Sequence, residues 1–598
     1  MMTNMPPFLL FFIAALITPL LTGKAKNIFI CLIPALGFYL ISQLDHGVSY
    51  QFHFYGYDLT LLRVDKLSKI FGYIFTLNAF AAFLYAFYLK DSRQHVSALF
   101  YIGAALGVVF CGDLVTLYFF WEVMAVASTF LILSRQTKKA SGAGFRYVLI
   151  HLLGGLILLA GIVLYIQDTG SVTFDILASS NSSLTLATIL ILSGMLINAA
   201  APPLHGWLPD SYPEATVTGG VILSAYTTKT SVYTLIRGFP GCEVLIIVGC
   251  VMSLYGIIYA LLENDMRRIL AYSIINQVGF MVCGVGIGTA MALNGAAAHA
   301  FCHIIYKALL WMSAGSVLYM TGKSKCTELG GLYKTMPLTM IFGTIGALAI
   351  SSVPFTSGFT SKPLIMLAAE NQHLIIPWLI LEIASAGVFL HAGIKFPYFV
   401  FFAKDKGLRP GEPENKTMLW AMGFLAFLCI FLGVYPQPLY AILPFEMEFG
   451  TMYKATKVIS QFQLLMFSAL VFFLCLKLLK RTDTIALDTD WFYRKGARLF
   501  YLTMDKGLNG LNRLCDALFV QGLAGWVMRF FSNAPQRLAL AAMAPFWLLT
   551  GQTGDKFQAK KQRLYSALET ATTPVGICAA VAALMVFGLI LFTLLLRK

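Results

Sequence analysis

Charge is what this chain has least of. Only 12% of its 598 residues are Asp, Glu, Lys or Arg, against 58% hydrophobic, and so little charge cannot keep a soluble surface hydrated. With a mean hydropathy of +0.76, the chain reads as a polytopic membrane protein. Its 11 cysteines are scattered singly, with no CxxC and no Cys/His group at ligand spacing, which argues against an iron–sulfur or structural zinc site. No GxGxxG follows a strand and no GxxxxGK[ST] occurs, so no nucleotide site and no cofactor is expected, and any transport is not ATP-driven within this polypeptide. With no redox or hydrolytic centre visible, membership of an enzyme complex stays open. The opening MMTNMPPFLLFFIAALITPLLTG lacks the basic start and small-residue cleavage site of a signal peptide and reads as a first membrane span.

What the chain does have is apolar runs of bilayer length. Windows of about twenty residues predict an all-α membrane protein of about sixteen transmembrane helices: three in 1–96, five in 97–238, five in 243–402, two in 417–480 and one at 575–596. The interval 44–65 alternates aromatic and polar residues and reads as a hairpin outside the membrane. Residues 486–573 form an amphipathic lateral segment, with Leu511, Leu514, Leu518 and Phe519 at helical spacing among Arg494, Lys495, Arg498, Lys506 and Arg513. That pattern suits a helix lying in the interface plane, divided at Pro535 and Pro545. The net charge of +15 lies in short loops such as Lys24, Lys26, Lys90 and Arg93, so it reports membrane orientation rather than nucleic acid. The basic loops follow odd-numbered spans, which places both termini outside.

Against this background, ionisable residues inside apolar runs stand out, because each costs several kcal/mol at bilayer depth. His299, His303 and Lys307 recur at four-residue spacing in HAFCHIIYKALLW, which stacks them on one helix face as a ladder for water-assisted proton transfer. Glu122 in YFFWEVMAVAS and Lys229 in AYTTKTSVY are expected to pair, since neither charge is stable there alone. Two runs are interrupted: INAAAPPLHGW at Pro202 and Pro203, and SSVPFTSGFTSKPLI at Pro354 and Gly358, with Lys362 just after. Breaks in corresponding places suggest an internal five-helix repeat, a transporter trait. Glu382, His391 and Lys395 fall in one later span; Lys395 either joins a proton path or snorkels to the surface. His151 and His205 are single intramembrane histidines, more simply satisfied by neighbouring helices.

These residues and their surroundings resemble the antiporter-like membrane subunits shared by Mrp-type cation/proton antiporters, respiratory complex I (NADH:quinone oxidoreductase) and membrane-bound hydrogenases. The resemblance is carried by FFWEVMAVAS, PPLHGWLPDSYPEATVTG, TTKTSVYTLIRGF, MRRILAYSIINQVGF, HAFCHIIYKALLWMSAG, GGLYKTMPLT and SVPFTSGFTSKPLI. It implies two inverted five-helix bundles, each with a broken helix and a half-channel, joined by a central hydrophilic axis. It implies a proton path through Glu122, Lys229, His299, His303, Lys307 and Lys362. The stretch 210–240 is similar to the D-type subunits of Mrp antiporters, and the interfacial segment to the lateral helix of complex I's longest antiporter-like subunit. One position departs: the family's lysine before the first broken turn is Asn198 here, and an amide cannot exchange a proton. The implied function is cation (Na+)/proton antiport in the bacterial inner membrane, with other membrane subunits, protons, Na+ and the lipid bilayer as partners. A proton-pumping subunit of a redox or hydrogenase complex is the alternative, and a scaffold with impaired conduction is a third.

Overall fold

The computed structural model describes residues 5–179, 183–447, 453–477, 482, 487–569, 579 and 582–590, in two compact units, Met1–Asp490 and Trp491–Lys598. The first unit starts with α1 (Pro7–Ile17), α2 (Gly23–Gln43) and α3 (Lys66–Tyr85). Between α2 and α3 lies the expected hairpin, β1 (Gly47–Phe54) antiparallel to β2 (Tyr57–Val64). Its turn residues Tyr55 and Gly56 have φ of 49° and 86°, the left-handed geometry that matches the twist of paired strands.

Three long helices follow, α4 (Ser92–Phe110), α5 (Leu114–Leu133) and α6 (Lys138–Thr169), and then four short pieces, α7 (Leu186–Asn198), α8 (Trp207–Ser211), α9 (Val217–Leu223) and α10 (Thr227–Gly238). Next come α11 (Val244–Leu262), α12 (Met266–Ile287), α13 (Ala290–Thr321), α14 (Pro337–Ile350), α15 (Lys362–Asn371) and α16 (Ile375–Val388). Beyond α16 the chain widens into π-helical turns at Phe389–Lys395 and Tyr398–Phe402. The unit closes with α17 (Lys416–Val434), α18 (Gln437–Ala441) and α19 (Ala455–Leu474). In this acid-poor chain several aspartates start helices: Asp65, Asp91, Asp113 and Asp265 each accept a backbone N–H in the first turn of α3, α4, α5 and α12, where free donors and the helix dipole favour a carboxylate.

One backbone plan occurs twice. Asp113 heads α5 and bridges to Thr173 beyond α6, while Asp265 heads α12 and bridges to Lys325 beyond α13. Helices α6 and α13 each run 32 residues and end on a left-handed glycine, Gly170 and Gly322. The helix after each then stops at a left-handed residue, Ala200 (φ 61°) and Ser352 (φ 57°). There the next N–H reaches back five residues, Ala201 to Leu196 O at 3.0 Å and Val353 to Leu348 O at 3.2 Å. The prolines that follow have no N–H to continue either helix.

These breaks keep the described residues from reaching the count of about sixteen long spans. Among the described residues, eleven helices are long and apolar enough to cross a membrane, or up to twelve with one bent pair. Expected spans one, seven and twelve hold only shorter apolar helices, Pro7–Leu20, Leu186–Asn198 and Pro337–Ile350, and span eight is split into α9 and α10. Hydropathy windows run across such breaks because apolar residues continue on both sides. The final span at 575–596 lies largely outside the described residues.

In the second unit, α20 (Asp490–Leu502), α21 (Asn509–Cys515) and α22 (Gly525–Ser532) are joined by π-helical turns, and α23 (Ala534–Leu549) and α24 (Asp555–Glu569) follow. The run Asp490–Arg529 meets α23 at a 53° bend. Pro535 sits in the first turn of α23, where no N–H is needed. Pro545 lies inside α23 and does not divide it, because it falls in the last turns on an exposed face, where the carbonyl one turn back can tilt outward. Leu511, Leu514, Leu518 and Phe519 are all more than half exposed, an open apolar stripe of the kind that lies in a membrane interface.

Candidate functional site: a buried row of lysines and histidines

Breaking a helix frees backbone carbonyls at the C-terminal end of the first fragment, and the negative end of the helix dipole collects there. A buried lysine answers two such ends. At the gap between α9 and α10, Lys229 Nζ donates to Ser224 O at 2.7 Å and Thr228 Oγ1 at 3.0 Å. At the end of α14, Lys362 Nζ donates to Ile350 O at 3.0 Å and stands 5.4 Å over the Phe280 ring. Both lysines are completely buried.

Helix α13 passes between them and carries the ladder. The His299 and His303 rings are 6.2 Å apart, and Tyr306 packs on His303 at 5.3 Å. His303 is within electrostatic reach of Lys229, Lys307, His299 and Lys362, so the structure brings five sequence-predicted residues into one buried row. His299 Nε2 donates to Gln277 Oε1 at 3.1 Å, and Nδ1 faces Ser361 Oγ at 3.2 Å, beside Lys362; this tautomer follows from Gln277 Nε2 donating elsewhere, to Asn276 Oδ1 at 2.5 Å. Among the described residues, both ring nitrogens of His303 and the Lys307 ammonium have no protein hydrogen-bond partner. Lys307 is thus the lysine in the row with no carbonyl to hold it, which suits a group that takes up and releases a proton.

The expected Glu122–Lys229 pair does not form. Lys229 turns to the carbonyl of its own break, while Glu122 lies on α5 against Gly155 of α6, so close that a Cβ there would meet Oε1 at 1.8 Å. Glu122 Oε1 has no partner among the described residues and borders a cavity of about 790 Å³ with Arg93 and Ser97 at its edge. Lys395 is corrected too: it does not snorkel, being 1% exposed. Its ammonium donates to Ala260, Leu261 and Glu263 carbonyls at 2.7, 2.8 and 2.7 Å, closing the C-terminal end of α11 as a cap. His391 keeps one nitrogen on Gly387 O at 2.8 Å and lies within reach of Lys307 and Lys362. Glu382 lies within reach of Lys362 and borders a cavity of about 280 Å³ beside Lys457, Glu370 and Gln461. Asn198 is buried with both amide atoms unpartnered among the described residues. His151 stands apart from the row, stacked on Tyr147 at 3.9 Å with Nδ1 on Tyr147 O.

Sequence reading missed Gln277, Tyr306 and Ser361, which tie His299 to its surroundings; an Asn-Gln pair inside SIINQVGF is the signal that could have found the first. It also missed Asp488. This residue, 5% exposed, accepts His205 Nε2 at 3.1 Å and Tyr272 OH at 2.5 Å, as well as Tyr255 OH and its neighbour's Thr489 N–H. Burial alone would push its carboxyl up, but the hydrogen bonds from His205 and the tyrosine hydroxyls hold it well below the usual carboxylate range. No local pattern in LDTDW marks it.

Comparison with known proteins agrees with this architecture. Residues 111–388 match the family described as NADH:quinone oxidoreductase/Mrp antiporter, TM. The D-type component of the Na(+)/H(+) antiporter of Alkalihalophilus pseudofirmus (strain ATCC BAA-2126 / JCM 17055 / OF4) is 28% identical over 68% of this chain and 89% of its own length. A longer antiporter subunit of Rhizobium meliloti (strain 1021), 28% identical, is spanned over only 40% of its length. The Mrp complex structure from Dietzia sp. DQ12-45-1b has a chain with the same fold, at a TM-score of 0.64 and 20% identity over 77% of this chain and 95% of that one. The N-type component of the NADH-quinone oxidoreductase of Desulforudis audaxviator (strain MP104C) is 33% identical over 62% of this chain and 80% of its own length, and the chain accordingly belongs to the family of antiporter-like membrane subunits that NADH:quinone oxidoreductase and Mrp antiporters share.

Proposed function

We propose that this chain is a proton-translocating subunit of a multisubunit membrane complex, exchanging protons for a cation such as Na+ in the manner named for its Alkalihalophilus relative. Protons would pass along Lys229, Lys307, His303, His299 and Lys362, each taking a proton as its neighbour releases one. The observation that carries this reading is a group of five buried titratable side chains gathered around His303, in which His303 and Lys307 have no partner to fix their protons among the described residues. Positive charges so close repel one another in a low-dielectric interior, so protonation at one end drives release at the next. Glu382 and the cavity beside Lys457 would give the second break its exit, and Glu122 would tune the first bundle from its own side. The basic loops favour the inner membrane with both termini outside, and the open stripe of the second unit favours a lateral segment along neighbouring subunits.

The 33% identity to a component of a NADH-quinone oxidoreductase favours a second reading, in which the same row is driven by electron transfer in partner subunits. Purifying the complex separates the two: flavin or iron–sulfur subunits mean redox coupling, and small hydrophobic subunits alone mean antiport. The proton path is tested by reconstituting the complex in vesicles with a pH-sensitive dye; Lys307→Ala with full proton flux would sink it.

A further inference from the structure

Asn198 gives the first break a buried amide that holds no exchangeable proton, yet the same break carries an acid–base group with an unusual counter-charge. His205 lies in the irregular turn after Pro203 and is completely buried. Its Nε2 faces Asp488 Oδ1 at 3.1 Å, although the two residues are 283 positions apart. The neighbours of Asp488 hold it from both sides: Tyr259 OH donates to Leu487 O at 2.9 Å, and Thr489 Oγ1 donates to Pro203 O at 3.0 Å. The carboxylate receives His205 Nε2, Tyr255 OH, Tyr272 OH and the Thr489 N–H. Three donors converge on Oδ1 and the Tyr272 hydroxyl on Oδ2, surroundings that favour the ionised carboxylate, so Asp488 is negative and His205 presents N–H at Nε2. The other ring nitrogen, Nδ1, is then a buried lone pair with no partner among the described residues.

We infer that His205 and Asp488 form a proton-holding pair at the first break, in which a proton binds His205 Nδ1 and the Asp488 carboxylate balances the imidazolium charge. No bond other than N–H is made or broken, and the same proton leaves from Nδ1 when the pair discharges. The pair deepens the proton-translocation reading and rests on it, supplying to the first break the exchangeable group that Asn198 cannot. The geometry is that of an acid–base dyad and not merely of a tether: a tether needs a hydrogen bond to the ring, whereas this site adds a full negative charge opposite an open nitrogen lone pair. The ionisable groups facing it are Tyr255 and Tyr259 of α11, and Tyr272 of α12 with Arg268 5.9 Å over its ring and Glu263 paired to that arginine at 2.9 Å. Arg268 is already neutralised by Glu263, which leaves Asp488 as the charge that His205 meets directly.

The test is an infrared titration of the purified complex with isotope-labelled histidine, run beside proton flux in vesicles. In the parent complex an imidazolium band that disappears in His205→Gln is expected, and in Asp488→Asn the same band should titrate about one pH unit or more lower, since removal of an adjacent opposite charge has that size of effect. Asp488→Asn keeps the shape and, with its amide oxygen towards His205 and its NH2 donating to the Tyr272 hydroxyl, keeps a hydrogen bond to the ring, so it reports on charge even where His205→Gln fails to assemble; Tyr255→Phe should move the band less. In flux, Asp488→Asn should shift the pH profile in the same direction. An unmoved histidine band in Asp488→Asn makes the contact a structural tie and overturns the pair. If Lys362→Ala stops flux while His205→Gln and Asp488→Asn leave flux and band unchanged, this inference alone fails. If the parent complex carries no protons, the functional reading fails, and the infrared titration still decides whether the pair exists.

Discussion

The two breaks share a backbone plan and differ in chemistry. At the second, Lys362 caps Ile350 O and stands next to Ser361, which faces His299, so the cation and the ladder meet at the break itself. At the first, the residue just before the turn is the uncharged Asn198, Lys229 caps a different fragment end at Ser224, and a carboxylate from a distant loop sits on His205. The difference teaches that the repeat keeps the places where helices stop, while the charged groups gathered at each one come from different helices and different parts of the chain.

The comparison is most strongly broken at the second break. Lys362→Ala should lower proton flux in the assembled complex on the order of a hundredfold, the usual scale for losing a proton-transfer group; flux near the parent level would remove Lys362 from the path. Next in size is packing. A Cβ on Gly358 would meet Ala349 O at 1.8 Å, so Gly358→Ala should destabilise the detergent-solubilised complex by roughly 1–3 kcal/mol, seen as a lower melting temperature. Lys395→Met removes a cap with three carbonyl partners and should cost about 2 kcal/mol, with the shape of the flux–pH profile retained. A changed profile would place Lys395 in the path after all.

Asn198→Lys sharpens the comparison by giving the first break the cation that the second has. Like charges in a low-dielectric site oppose each other's protonation, so the pH profile of flux should move by about one unit; an unmoved profile would mean that the first bundle does not conduct, and the scaffold reading gains. The smallest effect is expected at His151, whose ring is stacked on Tyr147 away from the row: His151→Phe should leave flux within about twofold, a change smaller than the barrier shift that RT represents at 25 °C. Lys229→Ala should leave the ionisation of Glu122 unchanged, because the two do not touch; an infrared shift of the Glu122 carboxyl would restore the pair that sequence suggested.

Much of this was legible because it is local. Pro202, Pro203 and Pro354 leave no N–H to continue the helices before them, the four-residue spacing of His299, His303 and Lys307 sets one face on any α-helix, and the alternation of residues 44–65 makes a hairpin without help from elsewhere. The errors came where a charge had to find its partner. Glu122 and Lys229 were joined because two buried charges of opposite sign should meet; the fold instead offers Lys229 a helix end, and seats Glu122 against Gly155 beside a cavity. For Lys395 the sequence left a proton path and a snorkelling side chain both open, and it is the end of α11 that holds it.

The sequence by itself determined the membrane class, the breaks, the ladder and the absence of nucleotide and metal motifs, since composition, proline chemistry and helical period act over a few residues. Only the tertiary structure decided which carbonyl each lysine answers, that Lys307 has none among the described residues, and that Asp488 lies on His205. Those contacts join residues 5 to 283 positions apart, and a hydrogen bond depends on angstroms between atoms that sequence spacing does not encode.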